Sequence, residues 1–101
     1  MRTMKVIKPD QQFWDIANSF INVANTHCDT VPGAKVSAAL LYGTARFNAF
    51  VVAGSTQSAE ELAAQSDAAI AYLVDEYGKM LREHFADYQR NYATYLVERN
   101  V

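Results

Sequence analysis

A chain of 101 residues, half of them hydrophobic and a fifth charged, is long enough for one core and too apolar to be disordered. Its net charge of −2 excludes a protein drawn to nucleic acid or anionic lipid by its overall field. A single cysteine, Cys28, excludes an internal disulfide and fits a reducing cytoplasm.

Residues 1–8 read as a basic tail carrying Arg2, Lys5 and Lys8, without the apolar run of a signal peptide. Residues 9–101 read as a single helical domain with helices at about 10–28, 35–53 and 58–97. Pro9 and Asp10 suit the start of the first helix. Phe13, Ile16, Phe20, Val23 and His27 then share an apolar face, opposite a polar face bearing Asn18, Asn22 and Asn25. Asp29 to Ala34 reads as a turn punctuated by Pro32-Gly33.

The stretch Val36 to Gly54, VSAALLYGTARFNAFVVAG, predicts a central helix. A bulky arc (Val36, Leu40, Phe47, Phe50, Val51), broken by Gly43, lies almost opposite a small arc (Ala38, Leu41, Ala45, Ala49, Val52). Only Ser37, Thr44 and Asn48 form a continuous polar wedge, so neighbours are expected on two sides. The stretch has nearly the length of a membrane span, but Arg46 and the wedge favour a buried helix over a membrane one. Gly54 suits a left-handed cap.

Ser58-Ala59-Glu60-Glu61 is a capping box opening the third helix. Leu62, Ser66, Ile70, Leu73, Tyr77, Leu81, His84, Tyr88, Tyr92 and Tyr95 follow at alternating three- and four-residue steps, a heptad-like stripe. Acidic residues come early and basic ones late, matching the helix dipole, and Asp75 and Lys79 are spaced as an i,i+4 pair. Helices of ~18–20 residues span about 27–30 Å, whereas one of ~40 spans about 60 Å. The second half of the third helix therefore needs cover over Phe85, Tyr88, Tyr92, Tyr95 and Leu96, unless a bend at Gly78 folds it back. A second copy is the simplest cover, and these five residues are the expected homodimer interface.

The chemistry-bearing residues are few. His27 and His84 lie on apolar faces of different helices. In an up-down-up bundle Tyr77, not His84, comes level with His27, so a metal pair within the chain is not expected. The Glu-x-x-His pair of di-iron bundles is absent, because Leu81 precedes His84 by three residues. Cys28, adjacent to His27, cannot share its helix direction and reads as a small buried side chain. Arg46 calls for a carboxylate from Asp15, Asp75 or a partner chain, or else hooks a small anion. The tyrosines with Phe85 could line a ligand site, but acidic neighbours argue against base stacking and for an interface. No catalytic set, metal set or cofactor motif is present.

The runs FWDIANSFINVAN, KVSAALLYGTARFNAFVVAG and SAEELAAQSDAAIAYLVDEYGKMLREH resemble a family of short proteobacterial proteins known only as a domain of unknown function. The resemblance covers roughly residues 10–92 and implies a bacterial, cytoplasmic, all-helical protein, with no site residues to carry over. The expectation is therefore an all-α, up-down-up three-helix unit with a long third helix, paired into a helical bundle homodimer. Its expected role is non-enzymatic, that of an interaction or scaffold protein able to take a protein partner. The alternative is a small-molecule-binding bundle using Arg46, His84, Tyr77 and His27 between subunits. Neither cofactor, nucleic acid nor membrane is expected.

Overall fold

The computed structural model describes residues 8–96, so the basic tail lies outside the described residues except for Lys8. Four helices form, α1 (Gln11–His27), α2 (Gly33–Gly54), α3 (Ala59–Arg90) and α4 (Tyr92–Leu96), and no strand is present among the described residues. By internal contacts the chain divides into a first unit ending at Leu62 and a second beginning at Ala63. The first contains α1, α2 and the opening turn of α3, and the second the remainder of α3 with α4.

The helix boundaries follow local chemistry. Asp10 caps α1, its carboxylate accepting from the Phe13 amide at 2.8 Å. Cys28 ends that helix and is exposed in the chain, not buried as its residue type suggested. Helix α2 starts at Gly33, two residues before the expected start, because the Pro32 carbonyl accepts from both Lys35 and Val36 amides. Pro32-Gly33 therefore opens the helix instead of ending the turn. At the far end no described glycine has positive φ, so Gly54 is not a left-handed cap. Instead the Ser55 and Thr56 hydroxyls donate to the Val52 and Ala53 carbonyls, both at 2.7 Å, and satisfy the last turn. Ser58 Oγ accepts from the Glu61 amide at 3.1 Å while Glu61 Oε1 accepts from the Gln57 amide at 3.0 Å. The capping box thus forms, closing one residue further back than its usual pattern.

Helix α3 passes through Gly78 without interruption, so the fold-back there that would have offered the aromatic end cover from its own chain does not form. The interruption comes at Asn91, which separates α3 from the five-residue α4. Lys79 bridges Asp75 (3.3 Å) and Glu76 (3.1 Å) along α3, and hydrogen bonding to Glu76, then Asp75, holds its ammonium proton more tightly than usual.

Packing is sparse. Helices α1 and α2 pack on each other across the short Cys28–Pro32 connection. Among the described residues only Val36, Val52 and Ala69 are buried, and α1 has no buried residue. Asn48, from the expected polar wedge of α2, is half-buried, whereas Phe47 is 62% and Phe50 70% exposed on the bulky arc. The two-sided burial that the composition of α2 calls for is not met within the chain.

Candidate functional site

The open apolar surface is the dominant chemical feature. Twenty large hydrophobic side chains are exposed among the described residues, on all three long helices. Soluble chains leave single apolar residues in water routinely, but not whole helix faces.

In the second unit this surface is one face of α3 continued into α4. Leu81, His84, Phe85, Tyr88, Tyr92 and Leu96, with Gln89, line a groove of about 470 Å³ that presents apolar atoms. Their spacing of three and four residues is that of a helix seam seeking knobs from a neighbour. Phe85 and Tyr92 are 61% and 62% exposed. Tyr95 stacks on Tyr88 with centroids 4.7 Å apart, extending the aromatic surface. The five residues expected at an interface thus lie together on this surface.

What holds the end of the seam is an Asp87 cluster that heptad reasoning missed. The Asp87 carboxylate accepts from the Asn91 amide nitrogen at 2.9 Å and from the Tyr95 hydroxyl at 3.1 Å, with Arg90 at 3.8 Å. Asn91 Nδ2 also reaches the Asp87 carbonyl at 3.2 Å. The Asp87–Tyr95 hydrogen bond, reinforced by the carboxylate charge, pushes the Tyr95 hydroxyl above its ordinary pKa, because ionisation breaks the bond and sets two anions side by side. The signal was present in the sequence: Asp87, Asn91 and Tyr95 recur at i, i+4 and i+8, one line along a helix.

Two grooves belong to the first unit. One, of about 360 Å³, lies along α1 and α2 and is lined by Phe20, Val23, His27, Val31, Val36 and Leu40 among others. The other, of about 530 Å³, is lined by Tyr42, Ala45, Arg46, Ala49, Phe50 and Leu62 among others. Arg46 and His27 therefore sit in separate grooves and do not form one site. Arg46 makes no ion pair among the described residues: Asp15 accepts instead from the Gln11 amide at 2.8 Å, and Asp75 pairs with Lys79. His27 and His84 are both exposed, so neither is a core histidine of the chain. Tyr77 belongs to the second unit and His27 to the first. No group of three or more metal-ligating side chains occurs among the described residues.

Helix α2 is long and apolar enough to cross a membrane by length and composition, a test that core helices of soluble proteins also pass.

The model of one family, described as Protein of unknown function (DUF3144), matches residues 13–89. No curated protein and no solved structure matches the chain.

Proposed function

This chain belongs to that family, which carries no assigned activity, and we propose from its own surfaces that it is a non-enzymatic helical interaction protein acting as an obligate homodimer. The carrying observation is the mismatch, among the described residues, between three buried residues and twenty exposed large hydrophobics. Burying one aliphatic side chain contributes about 1.5–3 kcal/mol, so a fold with so few draws its stability from surface that a partner covers. A second copy meets that need with no further protein, and isologous pairing covers the same face on both chains. The pairing surface is the α3 seam, with the faces of α1 and α2 left to a further protein partner. A cytoplasmic setting accords with an exposed, unpaired Cys28.

Light scattering during size-exclusion chromatography tests this. The expected mass is twice the 11.3 kDa of the chain at micromolar concentration. A monomer overturns the dimer, and quantitative flotation with liposomes turns α2 into a membrane helix instead.

One observation favours a second reading, in which the protein binds a small anionic molecule. The groove at Arg46 has the volume of a ligand site, and its guanidinium makes no ion pair among the described residues. Native mass spectrometry of protein purified without a metal-affinity step decides. A dimer carrying a stoichiometric small-molecule adduct, lost in Arg46→Ala, supports this reading, and a bare dimer supports the first.

A further inference from the structure

We propose that the α3 seam receives the α3 seam of a second copy in antiparallel orientation, with the two-fold axis passing near Gly78. The inference rests on the dimer reading above and adds its geometry. Three independent properties of one helix carry it.

Much of the seam face is open: Ile70, Val74, Tyr77, Leu81, Phe85 and Tyr88 are all exposed. Leu62, Ser66 and Leu73 of the same stripe are half-buried, as are Tyr72 and Glu76. From Tyr77 to Tyr95 every residue of the stripe is exposed.

Side-chain size runs in a gradient along it. The early part is small, with Ala63, Ser66 and Ala71 on or beside the seam, and the late part is aromatic, with Phe85, Tyr88, Tyr92 and Tyr95. Parallel pairing sets ring against ring at one end and alanine against alanine at the other, leaving one end crowded and the other void. Antiparallel pairing sets large on small at both ends, which fills space evenly. With the axis near Gly78, Leu81 meets Tyr77 of the other copy, Val74 meets His84, and Ile70 meets Tyr88.

Charge follows the same sense. One flank of the seam carries Glu60, Asp67 and Asp75 before Gly78 and Arg82 after it. Arg82 makes no ion pair among the described residues, and its guanidinium lies 3.5 Å from where a Gly78 Cβ would be. Antiparallel pairing sets the same flank of each copy together, bringing Arg82 across the axis twice to Asp75, which Lys79 bridges within its own chain. Parallel pairing sets opposite flanks together and leaves Arg82 apart from Asp75 of the other copy. The face is thus complementary to itself, which marks a second copy and not an unrelated protein as its occupant.

Spin labels test the orientation in a Cys28→Ala background. Ala68→Cys and Gln89→Cys stand about equally far from the proposed axis, on opposite sides. At 1.5 Å per residue, each variant alone gives an inter-chain separation of roughly 30 Å, and an equimolar mixture adds a much shorter distance. Short distances in the single variants and only long ones in the mixture mean a parallel dimer and overturn the proposal. A dimer by light scattering with no short distance in any sample moves the interface to another face, overturning the proposal while the dimer reading stands. A monomer by light scattering overturns both. Charge exchange gives a second readout: Asp75→Arg and Arg82→Asp each weaken self-association about tenfold or more, and the double variant restores it. Failure of the double variant to recover removes the Asp75–Arg82 pairing and the axis placed by it.

Discussion

Asp87 shows how much one side chain can organise at the end of a helix. It takes hydrogen bonds from Asn91 and Tyr95 one and two turns onward, and so fixes where the aromatic end of the seam points. Because the folded-state pKa of Tyr95 is raised, its contribution to stability is fully present below the unfolded tyrosine value, about 10. It is lost as pH rises through the higher folded value. Spectrophotometric titration is expected to show the Tyr95 phase, identified by difference from Tyr95→Phe, ionising after the other tyrosines. Asp87→Asn, which keeps an acceptor but removes the charge, brings that phase down toward them. A difference phase that coincides with the bulk tyrosines in the parent protein would sink the assignment. At the opposite end of α3, Ser58→Ala is expected to cost about 1 kcal/mol in denaturant unfolding, since Ser58 Oγ accepts the Glu61 amide.

At the scale of elements, α2 carries the clearest test of whether a face is free. Gly43 lies inside the helix, and a Cβ there meets nothing within 4 Å. Glycine at an internal helix position costs about 0.5–1 kcal/mol relative to alanine. Gly43→Ala is therefore expected to stabilise the protein by that amount in urea titration, with self-association unchanged; a loss of stability instead places a partner backbone against Gly43. The helices themselves were legible in the sequence, because capping and 3.6-residue periodicity are local. Asp10, the Ser58 box and the Asp75–Lys79 pair all act within four residues. Less legible were the ends decided by competition between equally local options. Gly54 offered a left-handed stop, but Ser55 and Thr56 hydroxyls satisfied the same carbonyls without it. A heptad stripe running to Tyr95 concealed the break at Asn91, because the stripe records which side is apolar and not whether the backbone continues.

For the whole molecule, the sequence could not distinguish a core from an interface, and the reason is physical. Phe47, Phe50, Phe85 and Tyr92 carry the pattern of buried residues, yet all four are exposed in the single chain. Water is excluded equally well by the same chain or by another, so one hydrophobic period encodes both. In the proposed dimer, folding and association are therefore one event. For a dimer that unfolds to two free chains, each tenfold rise in protein concentration adds about 1.4 kcal/mol to apparent stability. With an unfolding entropy near 2.1 cal/mol/K per residue over two chains, that corresponds to roughly 3 °C in the thermal midpoint. Calorimetry from 10 to 1,000 micromolar, about two decades, is expected to raise the midpoint accordingly, in a single transition. Leu81→Asp, which sets a carboxylate at the centre of the seam, is expected to abolish both dimer and cooperative unfolding together, because an unpaired charge cannot be buried there. A concentration-independent midpoint, or a Leu81→Asp chain that is monomeric yet still melts cooperatively, shows instead that the chain is stable without the partner the seam implies.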